Sequence, residues 1–310
     1  MTKIKILLLG YNRPDLIERQ LSDLRAQAIE IEDVYVAIDG PKGAGQQYIT
    51  DEIQAILGRY GIKRQNTTVG TKNLGCRHGV KRGIDWFFSL VDEGLILEDD
   101  CQMGPTTLNF FEQSRGVLEH DRVFSISGSN AFENTEAFGA KIDESRLASE
   151  TPFIWGWYTT RANWQQVTFS TKIGLASILK AIITFKSISV AIYNLRISRL
   201  VFEKKIDTWD VDVVWHCVNN NLLCVFPSLN QICNVGDDDN STNKHHGNKA
   251  LHITAKQLLT QPVDYASISK TLLAMNPNVA RILFRLSLKV KVKLILAETF
   301  YVLINKLKKI

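Results

Sequence analysis

Apolar and polar positions alternate in blocks through the first hundred residues. Ile4-Lys5-Ile6-Leu7-Leu8-Leu9 is a near-continuous apolar run, as a strand buried on both faces requires, and the polar turn Gly10-Tyr11-Asn12-Arg13-Pro14 follows it. A helix is predicted from about Asp15, where Leu16, Gln20, Leu21 and Leu24 fall near helical spacing. Val34-Tyr35-Val36-Ala37-Ile38 reads as a second strand ending at Asp39-Gly40-Pro41, residues 49–60 as a second helix and residues 65–69 as a third, short strand. Asn73-Leu74-Gly75 then leads into a helix over 76–91, and 95–97 form a fourth strand. The order βαβαβαβ predicts an α/β fold with a mixed, mainly parallel sheet and helices on both faces.

The second half is less regular. Phe124-Ser125-Ile126-Ser127-Gly128 predicts a strand, 131–150 a loop-rich stretch, and Phe153-Ile154-Trp155-Gly156-Trp157-Tyr158 an extended aromatic segment. Residues 172–206 read as helical, basic and amphipathic, Cys224-Val225-Phe226-Pro227 closes a last strand, and Gly236 to Ser241 form a polar loop. Trp155 and Trp157 lie two apart, so an extended backbone turns both to one face.

The most pointed chemistry sits where the fourth strand ends, in Leu97-Glu98-Asp99-Asp100. Three adjacent carboxylates repel one another and resist desolvation. They make sense either as a solvated turn or as oxygen ligands for a hard divalent cation. In an open α/β sheet, ligands bind beyond the carboxyl ends of the strands. The turns at Asn12-Arg13, Asp39-Gly40 and Glu98-Asp99-Asp100 all follow strands, so they converge on one edge. Neither GxGxxG nor a Walker loop is present, which argues against dinucleotide redox chemistry and P-loop phosphoryl transfer.

Charge is unevenly spread in the 310-residue chain. The formal net charge is +5, but residues 277–310 carry eight Lys/Arg against Glu298 and residues 172–206 carry seven against Glu203, leaving −8 for the remainder. An acidic body with two basic segments suggests a polyanionic neighbour. The five cysteines show no CxxC pairing, which fits a reducing compartment better than a disulfide framework or structural zinc. The N-terminus carries no signal-peptide pattern, and no run reaches the ~18 apolar residues of a membrane span. These features predict a cytoplasmic protein, peripheral on the inner face of the membrane.

Taken in order, Tyr11-Asn12-Arg13-Pro14, Asp39-Gly40-Pro41, Asn73-Leu74-Gly75-Cys76 through Phe88, and Leu97-Glu98-Asp99-Asp100 resemble the GT-A glycosyltransferases. Trp155-Gly156-Trp157, Thr208-Trp209-Asp210 and Asn234-Val235-Gly236 look like the second half of a bacterial GT-A group, distantly similar to the N-acetylglucosaminyltransferase-I family. The resemblance covers about residues 4 to 243. It implies a GT-A domain, placed over 1–262; charge and helical spacing, not the resemblance, make 172–206 a basic helical insertion and 263–310 a basic amphipathic helical tail.

The resemblance further implies a metal-dependent, inverting transfer from a nucleotide-sugar donor to a glycan or lipid-linked acceptor, in bacterial surface-polysaccharide synthesis. Mn²⁺ or Mg²⁺ would be held by Asp100, with His245 as a second candidate because the usual position after the Asn-x-Gly loop holds Asn243. Glu98 and Asp99 would face ribose, water or donor sugar. Asn12, Arg13, Asp39, Asn73 and Arg77 would line the nucleotide pocket, although Asp39 also suits a plain turn before Gly-Pro. Asp210 is the candidate general base, with Asp207 and Asp212 as competitors. Asp212 shares a face with Asp210 in a strand but not in a helix, and the same acids would suit a helix cap. Trp155 and Trp157 are candidates to stack on an acceptor sugar, against the alternative that they are core aromatics.

From Leu283 onward apolar residues keep helical spacing, while Arg281, Arg285, Lys289 and Lys293 form a separate stripe, which suits an anionic membrane surface or a solvated helix face. Two other enzyme or binding classes compete. A sugar nucleotidyltransferase would carry a Gly-rich loop after the first strand, and a nucleic-acid-binding or non-catalytic partner protein would rely on the basic segments. No nucleic-acid recognition module is present, so no nucleic-acid partner is expected.

Overall fold

The structure is a computed structural model that describes residues 4–130, 148–169, 173–185, 188–227 and 229–235. Three strand–helix units and a fourth strand open the chain. Strand β1 (Ile6–Gly10), helix α1 (Pro14–Ala26), β2 (Val34–Ile38), α2 (Gln47–Arg59), β3 (Thr67–Val69), α3 (Gly75–Leu90) and β4 (Glu93–Glu98) follow the predicted order. Then come β5 (Cys101–Met103), α4 (Thr107–Ser114), β6 (Val123–Ser127), β7 (Ala148–Ser149), β8 (Trp157–Thr160) and α5 (Arg161–Gln165). The last described elements are α6 (Leu175–Phe185), α7 (Ile188–Phe202), α8 (Asp210–Asn220), β9 (Leu223–Val225) and β10 (Ile232–Asn234).

Eight strands form one sheet in the order β3-β2-β1-β4-β8-β6-β9-β7. The pairs β3–β2, β2–β1, β1–β4 and β6–β9 are parallel, while β8 runs antiparallel to both β4 and β6 and β7 runs antiparallel to β9. The predicted mixed, mainly parallel α/β sheet is therefore present. The chain moves outward from β1 to β3 and then returns to place β4 on the other side of β1. That reversal makes the carboxyl ends of β1 and β4 a topological switch point, where open α/β sheets form a crevice.

Side-chain alternation along the strands builds two cores. Ile6 and Leu8 of β1, with Leu95 and Leu97 of β4, face Ile17 and Leu21 of α1 and Ile53 and Ile56 of α2. Leu7, Leu9 and Ile96 face the other way, onto Ile84, Phe87 and Phe88 of α3 and Val213 and Cys217 of α8. Burying each such side chain contributes ~1.5–3 kcal/mol. A third cluster joins α6, α7 and α8 through Ala181, Phe185, Val190, Val214 and Trp215.

Three departures from the sequence reading matter for the site. The last strand is β10, not β9, and it pairs with β5 in a separate two-stranded ribbon. The aromatic segment is not continuously extended, because Gly156 adopts φ +61. Trp155 consequently packs on the core beside α1 and α2 while Trp157 points into the core beside α3, so the two do not share a face. Finally, Asp210 and Asp212 begin helix α8, whose turn of ~100° per residue sends them to different neighbours. Within 172–206 the described residues form α6 and α7, while 173–174 and 203–206 are not helical. The tail 263–310, the domain boundary at 262 and His245 lie outside the described residues.

Candidate functional site

The acidic triplet forms the corner between β4 and β5. Glu98 ends β4, Asp99-Asp100 make the turn, and Cys101 starts β5. Three contacts fix this turn. Gln20 of α1, fully buried, donates through Nε2 to the Cys101 carbonyl and, at 3.4 Å, to the Glu98 carbonyl. On the ribbon side, the Val235 amide donates to the Asp100 carbonyl at 2.9 Å and Asn234 Nδ2 donates to Asp100 Oδ1 at 3.1 Å. From the turn after β1, Arg13 spans both aspartates, donating to Asp99 Oδ1 and, at 3.1 Å, to Asp100 Oδ2.

Arg13 is thus a counter-ion for the corner. Burial opposes its charge, yet Asp99 and Asp100 together hold its guanidinium above the ordinary arginine value. Its Nη1 is buried with no hydrogen-bond partner among the described residues, so one donor remains to be satisfied. Burial pushes the Asp99 carboxyl up to about 7, against the pull of Arg13. Glu98 differs, its carboxylate having no hydrogen bond or ion pair from any described side chain. Burial first, then the charges of Asp100, Asp99 and Asp210, raise its carboxyl well above the ordinary value.

Asp39, at the end of β2, is turned toward the protein. Its carboxylate accepts from the Gly40 amide at 2.9 Å, the Leu74 amide at 3.0 Å, the Gly75 amide at 3.2 Å and Asn73 Nδ2 at 2.9 Å. It therefore holds the Asn73–Gly75 loop and caps α3 from outside its own segment. Asp207 caps the same helix from the loop before α8, accepting from the Cys76 amide at 2.7 Å and the Arg77 amide at 3.1 Å. Between them two carboxylates satisfy four amides at the start of α3, the orphan donors of any helix N-terminus. Gly75 at φ +78 makes the entry possible. At Gly79 a Cβ would lie 2.9 Å from Asp39 Oδ2, and at Gly83 it would lie 2.5 Å from Leu9 Cδ2. Glycines spaced four apart thus let α3 sit directly on β1, β2 and the capping carboxylate.

The other predicted residues divide sharply. Arg77 is buried, and its Nη2 lies 2.8 Å from Asp212 Oδ2 and donates to Oδ1 at 2.9 Å. The pair joins the starts of α3 and α8, so Arg77 is not a free phosphate ligand and Asp212 is not a free base. Asp210 lies at the first turn of α8, where its Oδ1 accepts from Thr208 Oγ1 and, at 3.0 Å, from the Val211 amide. The charge of Asp210 acts on Glu98, Cys76 and Tyr193, so the start of α8 brings a further carboxylate into the neighbourhood of the triplet. Cys76 marks the meeting point. Burial and then the charges of Glu98, Asp207, Asp210 and Asp100 keep its thiol protonated above the ordinary value.

Trp157 is 1% exposed and stacks on Trp209 at 5.8 Å and on Phe124 at 6.1 Å, which leaves its ring no surface for a sugar. Trp157, Trp164 and Trp209 instead wedge the start of α8 against the sheet and so position Asp210. Trp155 and Asn12 are half-buried. Sequence reasoning assigned no role to Gln20 or Asn234, which shape the acidic turn, nor to the glycine stripe of α3. The fourfold glycine spacing was open to reading; a long-range contact such as Gln20 to Cys101 left no local signal.

Among the described residues no three His, Cys, Asp or Glu side chains converge as a closed metal cage. The corner suits a different arrangement. Mg²⁺-type ions commonly take one or two carboxylates and complete their shell with water and substrate phosphate. Asp100, with further lone pairs on both oxygens, and the unpartnered Glu98 supply two such oxygen donors in a region with surplus negative charge.

No protein-family model and no curated protein matches this chain. Among solved structures it is similar to a mannosyltransferase, PcManGT from Pyrobaculum calidifontis in complex with GDP-Man and Mn2+, at 10% identity and TM-score 0.41 over 70% of each chain. At that identity the likeness concerns architecture alone, and the ligands belong to that protein.

Proposed function

We propose that this protein is a divalent-cation-dependent glycosyltransferase that moves a sugar from a nucleotide-sugar donor to a hydroxyl of a glycan or lipid-linked acceptor, with inversion. A role in surface-polysaccharide synthesis is the setting that fits a lipid-linked acceptor. The reading rests on one observation, the Glu98 carboxylate that no described side chain meets, two residues from Asp100 at the switch point of the sheet and within the field of Asp210. Among the described residues, Glu98, Asp99, Asp100 and Asp210 act on one another with Arg13 as the bridging cation, which leaves a deficit of positive charge.

Asp100 and Glu98 would hold Mn²⁺ or Mg²⁺, which supplies stabilisation for the charge that grows on a departing diphosphate. Arg13 Nη1, otherwise without a partner, donates to a phosphate oxygen, while Asp99 keeps the guanidinium in place. Asn12 and the Asn73 loop border the nucleotide pocket, and Asp39 holds that loop in shape. Asp210 takes the proton of the acceptor hydroxyl on its Oδ2, with Oδ1 already occupied by Thr208 and the Val211 amide. Trp155 is the remaining aromatic candidate for the acceptor side.

The test is a panel of UDP-, GDP-, dTDP- and CMP-sugars screened for Mn²⁺-dependent thermal stabilisation and sugar release. One donor class should respond, and Asp100→Ala should lower turnover about 100-fold or more while leaving the melting temperature near that of the parent. Turnover undiminished in Asp100→Ala, or no donor that responds, would overturn the assignment.

A further inference from the structure

We propose that the solvent face of α6 docks this protein on an anionic lipid bilayer, with the aliphatic ridge Leu175–Leu179–Ile183 entering the acyl boundary and basic side chains of the same segment meeting the headgroups. The ridge residues lie four apart and are 72%, 53% and 75% exposed, and Ala176 beside them is exposed too. The opposite side of α6 already carries Ala181 and Phe185, packed among Val211, Val214, Trp215 and Val218. So α6 carries two apolar faces, the core face and the exposed ridge, with Ser177, Lys180 and Thr184 forming a polar stripe along one side between them. An exposed aliphatic ridge flanked by polar positions suits a helix lying at a lipid boundary.

The one charge in α6, Lys180, turns back to donate to the Asn219 carbonyl, leaving the outer face without a charged group. Ile188 and Phe202, at the two ends of α7, are further exposed apolar side chains of this segment. In the same segment, the described residues of 173–206 carry Lys180, Arg196, Arg199, Lys204 and Lys205 against the single acid Glu203, which pairs with Arg199 and Lys205, so positive charge is in surplus. Such a balance repels a second copy of the same face and attracts an anionic surface. The ridge also presents no side-chain hydrogen-bonding group with which a protein partner would fix its register. At 11 residues α6 is far too short to cross a bilayer, and no helix among the described residues is long and apolar enough to do so. A helix of this kind lies in the plane of the interface.

The experiment uses the full chain with vesicles of phosphatidylcholine alone or with about one-third phosphatidylglycerol. Its readout needs no turnover, so it stands apart from the glycosyltransferase reading. Sedimentation is expected with the anionic vesicles. The variant Leu175→Ser/Leu179→Ser/Ile183→Ser should keep its melting temperature and lose at least about tenfold in partitioning. An NBD probe on Ile183→Cys, in a chain carrying Cys76→Ala, should shift to the blue on vesicles and be quenched by brominated lipid. Four results would overturn the proposal: no sedimentation, equal binding to neutral vesicles, unchanged partitioning of the triple variant, or an NBD spectrum indifferent to vesicles that bind the chain. Self-association that the triple variant abolishes would likewise overturn it, by assigning the ridge to a second copy.

Discussion

Arg77 is where the sequence-based expectation and the folded arrangement diverge most testably. A nucleotide-pocket arginine should be dispensable for folding and needed for donor binding. The structure instead ties it to Asp212, with side chains 9% and 2% exposed and nitrogen and oxygen 2.8 Å apart. Two unit charges about 4 Å apart attract by about 4 kcal/mol at an effective dielectric of 20, which roughly offsets the cost of drying both. Removing one partner keeps the desolvation and forfeits the attraction. Arg77→Met should therefore destabilise the fold by ~3–5 kcal/mol, leaving Asp212 buried and uncompensated. The double variant Arg77→Met/Asp212→Leu removes both charges and should return to within about 1 kcal/mol of the parent. Urea unfolding of the four members of the cycle, with m-values checked for constancy, gives the coupling energy directly. The reasoning fails if Arg77→Met costs less than about 1 kcal/mol while donor binding is lost, since the guanidinium would then be free to meet phosphate.

Three further outcomes follow from the site. Asp99 (raised to about 7) and Glu98 bind their protons more tightly folded than unfolded, so cation-free stability should fall as pH climbs from the ordinary carboxylate range through about 7, and Mn²⁺ affinity should rise over the same window; thermal melts and calorimetry across pH measure both. Glu98→Gln should melt higher than the parent at neutral pH without cation and gain little when Mn²⁺ is added. A Cβ at Gly83 would press on Leu9 Cδ2 at 2.5 Å and Ala37 Cβ at 3.1 Å, so Gly83→Ala should cost ~1–3 kcal/mol in unfolding despite the better helix former.

Much of the sheet was legible because its signals are local. The apolar runs of β1, β2 and β4 and the spacing in α1, α2 and α3 place these elements within a few residues of their observed bounds. The strands β5, β7 and β10 are two or three residues long, too short for a period-2 pattern to declare itself. The site was legible in its residue types and illegible in its pairings. Asp99 and Asp100 do meet Arg13, as turns after parallel strands should, whereas Asp210 comes from the start of α8. Whether an acid faces a ligand or caps a helix depends on partners over a hundred residues away, as with Asp207 on the Cys76 amide and Asp212 on Arg77. Trp157 illustrates the same limit, since one residue at φ +61 sends it from a shared face with Trp155 into the core.

Anomalous diffraction at the manganese edge tests the central claim most directly, on crystals grown with Mn²⁺ and a nucleoside diphosphate. The account predicts a peak in oxygen-ligand distance of Asp100 and Glu98, with phosphate oxygens completing its shell and Arg13 Nη1 on the same diphosphate. A nucleotide bound with no peak at that corner, or a peak held by other residues, would contradict it.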